Sequence, residues 1–190
     1  WQTPWHGLEA LRNGKNVALG LAVLFLARTN GILYIMNSVD EEGLIERSSG
    51  KLAVNALAFL VFFLLFLGAL LLSKGFAYDS STGTVMMEDY KYLHNLIGMP
   101  VVFILFLAGV AGVLYGIGSA MFGGSRSGIW YTGSGTLLAV TSLLLLAGFN
   151  DTAFYPSIYD LNSSLTIRNA SSSHFTLKTM MFVSFIVPFV

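Results

Sequence analysis

Arg28 is the one charge set well inside a long apolar run, and Asn30 follows two residues later. An ionisable side chain within a membrane-length segment costs about 3 kcal/mol or more unless it is paired or reaches the interface, so it marks a functional site by default. Arg28 lies roughly two turns from the end of its segment, a distance that its long stem can span. Two kinds of role fit this polar patch. One is a contact between helices; the other is a proton, quinone-headgroup or lipid contact. No Asp or Glu lies inside any apolar run, so an intramembrane carboxylate relay is excluded.

Haem and metal sites in membranes call for histidine. His6, His94 and His174 all fall in loops or at segment edges, none at mid-membrane, and Met86, Met87 and Met99 flank His94 without ligand spacing. The chain has no cysteine, which removes disulfides, thiolate metal sites, iron–sulfur clusters and cysteine nucleophiles. We therefore expect no catalytic residue, no metal ligand and no haem held by this chain. The cluster Glu88-Asp89-Tyr90-Lys91-Tyr92-Leu93-His94-Asn95 mixes acid, base, phenol and imidazole at the start of an apolar run. It suits proton release or a lipid headgroup, and equally a solvated loop with interfacial aromatics. N-x-S/T patterns occur at Asn150, Asn162 and Asn169, and would matter only in a eukaryotic secretory setting. Gly133-Ser134-Gly135 lacks the lysine of a phosphate loop, and no Ser/His/Asp set can be argued.

The elements that must position these residues are apolar runs at 15–36, 53–73, 99–121 and 129–148, with another opening at 177 and continuing to 190. A hydrocarbon core needs about 20 apolar residues as helix. In lipid every backbone polar group must pair internally, so these runs are helices rather than open strands. The expected fold is all-α: one membrane bundle over 1–190, with four full helices plus the start of a fifth. Polar connections fall at 37–51, 74–96 and 149–176. Trp1, Trp5 and His6 suit a headgroup-level lead-in. Both ends read as internal to a longer subunit.

Composition agrees. The chain is 55% hydrophobic and only 11% charged, with zero formal net charge, where a soluble domain carries about 25% charged residues. No basic footprint for nucleic acid remains. Ala108, Gly112, Gly116 and Ala120 form a small-residue stripe at spacing four, which marks a helix–helix seam. Connections 37–51 and 122–128 hold three basic residues in short spans, against six over much longer spans on the other side. The positive-inside rule discounts long loops, which leans towards 37–51 and 122–128 being cytoplasmic and 74–96 and 149–176 periplasmic.

The last forty residues carry a more specific pattern. Phe154-Tyr155-Pro156-Ser157 leads to Asn162-Ser163-Ser164-Leu165-Thr166-Ile167, then Asn169-Ala170-Ser171-Ser172-Ser173, Thr176-Leu177 and an apolar run with Pro188. This resembles the polar loop and final helix of subunit II of the cytochrome bd-type quinol oxidases. Gly31-Ile32-Leu33-Tyr34 looks like that family's G-A-x-Y segment. The second run, the loop after it and the stretch from Asn95 to Pro100 follow in the same order. The likeness spans essentially the whole chain and matches the C-terminal half of the subunit; Tyr155 departs from the family's more usual spacing.

The resemblance implies a bacterial inner-membrane subunit without haem. Its partner, subunit I, would carry haem b and haem d, oxidise quinol and reduce oxygen to water, and membrane lipid and quinol would be the other partners. The family's Trp-Asp-Gly-Asn-Glu segment, tied to proton uptake, does not occur in these residues, so none of its positions carries over. By itself this piece would be catalytically silent. Two rivals stand beside that reading: half of a secondary transporter, or a purely structural assembly bundle. A transporter would need broken helices and buried polar sites near the midplane. Only Arg28 and Asn30 qualify here, and no run has a central proline.

Overall fold

Residues 8–79, 81–153 and 179 are described by a computed structural model of the chain. Each of the four apolar runs within them forms one long helix: α1 (Gly14–Ser38), α2 (Glu42–Leu71), α4 (Pro100–Gly123) and α5 (Gly128–Gly148). All four are long and apolar enough to cross a membrane. The expectations for 154–176 and for a helix at 177–190 fall outside the described residues, apart from Thr179, as does that for Trp1, Trp5 and His6.

Local chemistry sets the helix ends. Asn13 caps α1, its side-chain oxygen accepting from the Lys15 N–H at 3.1 Å. Pro100 opens α4, where its missing N–H costs nothing. Gly124, at φ 61°, closes α4 in the left-handed region that glycine occupies freely.

Two expectations about the connections need correction. Residues 37–51 are not a loop: α2 begins at Glu42, so most of that stretch is helix. With 30 residues, α2 is about 45 Å long at 1.5 Å per residue, half as long again as the hydrocarbon core needs. Its charged first turns continue the helix into water. The 74–96 stretch is not irregular either. It holds a β-hairpin, β1 (Gly75–Tyr78) against β2 (Val85–Glu88), and a short helix α3 (Lys91–Gly98). The bundle is therefore all-α across the membrane, with a small sheet at one end.

The helices pair as two hairpins. Between α1 and α2, Phe25 stacks on Phe62 with ring centroids 5.8 Å apart, and Leu33, Leu52, Ala56 and Phe59 fill the rest. Between α4 and α5 the backbones nearly touch. A Cβ on Gly109 would lie 2.5 Å from the Ala139 nitrogen, and one on Gly135 2.6 Å from the Gly109 oxygen and the Val113 nitrogen. On Gly116 it would strike Thr132 Oγ1 and come within 2.6 Å of the Gly128 oxygen. The seam thus runs through Gly109 rather than the expected Ala108, which is exposed. Gly112, Gly116 and Ala120 belong to it as expected.

The two hairpins join where Leu33 of α1 meets Gly128 of α5 and where Phe63 of α2 meets Phe106 of α4. Hydroxyls inside the bundle bond back along their own helices. Thr29 donates to the Phe25 carbonyl, Thr132 to Gly128 and Ser142 to Leu138, at 2.8–3.0 Å. This local pairing lets the buried hydroxyls sit inside the bundle without a partner on another helix.

Candidate functional site

Among the described residues, polar side chains gather in two places, at opposite ends of the bundle. The first lies where α1 and α2 approach their connection. Arg28 Nε donates to Asn55 Oδ1 at 2.8 Å, and Asn55 Nδ2 donates to the Lys51 carbonyl at 2.7 Å. Asn55 is buried, whereas Arg28 is exposed on the flank of the hairpin. The amide thus holds the guanidinium by Nε and leaves its terminal nitrogens without a hydrogen bond among the described residues. Asn30 is half-buried on another face of α1, and its Oδ1 is buried with no hydrogen-bond partner among the described residues. The structure does not bring Arg28 and Asn30 together; about 200° of helix rotation separates them.

Asn55 was missing from the sequence reading. Its signal was present: a lone amide in a dense Leu/Phe run, which in lipid calls for a partner. Further along the same connection, Arg126 pairs with Asp40 at 2.9 Å and ties the two hairpin turns together in the open.

The second gathering caps the other end. Glu88 ends β2 and meets two basic side chains of the next helix, Lys91 Nζ at 3.1 Å and His94 Nδ1 at 2.7 Å. The bond from His94, then that from Lys91, holds the Glu88 carboxyl below its usual range. Lys91 is buried, so its pairing replaces lost water. Asp89 pairs with Lys74 at 2.9 Å, and that bond raises the exposed Lys74 above its usual value. Both acids of the cluster read from the sequence are therefore paired, Glu88 within it and Asp89 with Lys74 outside it.

Beside it, fully buried Asn95 of α3 joins α5 to the stretch that follows it. Its amide donates to the Leu146 carbonyl at 2.9 Å and to Thr152 Oγ1 at 2.7 Å, and its oxygen accepts from Asn150 at 3.1 Å. Residues 151–153 then lie along β1: the Tyr78 N–H donates to the Asp151 carbonyl at 2.7 Å, and the Ala153 N–H to the Phe76 carbonyl at 2.8 Å. Asn150 is thus engaged in holding the cap.

Neither place suits a haem. The His94 ring is exposed and committed to Glu88, and His6 and His174 lie outside the described residues. No group of three or more His, Cys, Asp or Glu forms a metal site among the described residues. A cavity of about 70 Å³ lies among the four helices, lined by residues such as Ala22, Phe59, Val113 and Ala139. It is apolar throughout and far below the roughly 300 Å³ at which ligand pockets begin. A quinone headgroup, which needs polar partners, does not fit there.

A search among curated proteins finds no match. The family model for cytochrome bd terminal oxidase subunit II, in contrast, matches residues 3–190, nearly the whole chain. With four membrane-length helices behind that match, the chain belongs to the subunit II family of the cytochrome bd terminal oxidases.

Proposed function

We propose that this chain is the haem-free subunit of a bacterial quinol:oxygen oxidoreductase. It packs against a haem-bearing subunit I, which oxidises quinol and reduces oxygen to water using haem b and haem d. The observation that carries this reading is the family match over residues 3–190. The hydrogen-bonding of the interior is consistent with it: Thr29, Thr132 and Ser142 bond back along their own helices and Asn55 holds Arg28.

In this reading Arg28 is a strut from α1 to α2, and Asn30 offers its oxygen to a donor beyond the described residues. The Arg126–Asp40 end faces the cytoplasm of the inner membrane, and the β-hairpin cap faces the periplasm. These 190 residues alone are catalytically silent.

The test is a reduced-minus-oxidised visible spectrum of the protein purified with its natural partners in mild detergent, followed by oxygen uptake on adding quinol. Haem bands with quinol-dependent uptake are expected. A pure preparation with neither haem nor a partner chain would remove the oxidase reading.

A further inference from the structure

Leu52 to Leu71 of α2 contains no charge, a run of about 20 residues that matches the thickness of a hydrocarbon core. Lys51 therefore stands at the membrane boundary, and Asn55 lies one turn inside it. Arg28, bonded to Asn55 through Nε, sits at that same shallow depth, and among the described residues its terminal NH2 groups make no hydrogen bond. Among the described residues no acid lies within ion-pair distance of Arg28, Lys51 or Arg47, all of which are exposed.

The three cations share one flank. At 100° per residue, Lys51 and Arg47 lie about 40° and 80° round α2 from Asn55. Phe63, which meets α4, lies about 80° the other way. On α1, Leu33, which meets α5, is turned about 140° from Arg28. The flank thus points away from the rest of the described bundle. The nearby acids point elsewhere: Glu46 and Glu42 are about 180° and 140° from Asn55, Asp40 is taken by Arg126, and Glu41 precedes the helix.

We propose that Arg28, Lys51 and Arg47 form a binding site for the phosphate of an anionic phospholipid, with Asn55 positioning the guanidinium. A guanidinium held by Nε presents its terminal fork to two phosphate oxygens. Lys51 and Arg47, stacked one turn apart, climb from the boundary into the headgroup layer, where basic residues bind anionic lipid. A phospholipid fits better than a partner carboxylate because the cations follow the membrane normal across the depth that headgroups occupy. The inference needs only the membrane placement of α1 and α2, so it stands or falls separately from the oxidase reading.

The intact membrane complex that contains this chain would be placed in phosphatidylcholine nanodiscs doped with phosphatidylglycerol, and retained lipid counted by native mass spectrometry. Phosphatidylglycerol should be enriched over its bulk share. Lys51→Gln and Arg47→Gln, both exposed and outside the packing core, should each lower that enrichment about fivefold. Arg28→Gln should lower it further. Unchanged enrichment in an assembled Lys51→Gln/Arg47→Gln double variant overturns the site. So does loss of a partner chain with lipid retention unchanged, which would give this flank to a protein carboxylate. Displacement of the lipid by millimolar inorganic phosphate would make it a free-anion site and overturn it as well.

Discussion

Between α1 and α2 the space is filled by phenylalanine and leucine side chains, whereas between α4 and α5 almost nothing intervenes. Both solutions answer the same difficulty. In lipid no hydrophobic drive brings helices together, so contact must come from dispersion, backbone approach or polar pairing. The α4–α5 hairpin relies on approach, with Gly109, Gly116, Gly128 and Gly135 each filled by the opposing backbone. The α1–α2 hairpin relies on side-chain packing and adds one directed bond, Arg28 to Asn55. The first arrangement tolerates no added atom at the seam. The second tolerates repacking but depends on a matched polar pair.

Substitution can break that contrast. Gly116→Leu should have the largest effect, above about 3 kcal/mol, because the new side chain meets fixed backbone rather than a movable neighbour. Loss of assembled complex on a sizing column in mild detergent would report it. Asn55→Leu should cost less, about 1–2 kcal/mol, as it leaves the Arg28 Nε–H unpaired in a shallow, partly wet position. Denaturation in detergent, with Arg28→Gln and the double variant, would show whether the two losses overlap as a shared bond requires. Gly118→Ala and Gly133→Ala face open space and sharpen the comparison as controls. Each should change stability by less than about 1 kcal/mol, towards gain. A large loss at either would mean that a further surface packs on that side of the hairpin.

The smallest effect separates both hairpins from the cap. Asp79 accepts from the Ser81 N–H at 2.8 Å, from Ser81 Oγ at 2.7 Å and from Thr82 Oγ1 at 2.8 Å, which lowers its pKa to about 2. A carboxyl lowered on folding stabilises the turn above its ordinary value of 3.8, and that support fades as pH falls towards about 2. Glu88 is shifted in the same direction by His94 and Lys91. Protection factors of amides across 75–88, taken relative to the intrinsic exchange rate at each pH, should therefore fall on acidification while those of α4 and α5 hold. A uniform fall would show that the cap and bundle open together.

Much of this was legible in the sequence. Run length and the demands of lipid fix four helices, because no other backbone arrangement satisfies itself there. The start of α2 was not legible, since charged and serine residues at 42–51 read equally as a loop or as a helix leaving the membrane. The hairpin hid because its strands are only four residues long; only the turn cluster at 79–84 announced it. The small-residue stripe slipped from Gly109 to Ala108 because a strict spacing of four drifts against the 3.6-residue turn. Arg28 stood out as a charge in an apolar run, but its partner depends on which residues of α2 face it, and that is a property of packing. Asn95 was overlooked inside a cluster of more conspicuous acids and bases.

The pairing of residues 151–153 with β1 sets an order of events during synthesis. The ribosome delivers Gly75–Glu88 more than sixty residues ahead of 151–153, and α4 and α5 must enter the bilayer in between. Throughout that interval one edge of the new hairpin has unsatisfied amides. Only when α5 has crossed and returned its C-terminal end to the same side can the late segment close that edge and Asn150 reach Asn95. Closure of the cap therefore requires that the C-terminal end of α5 lie on the same side of the membrane as the β-hairpin.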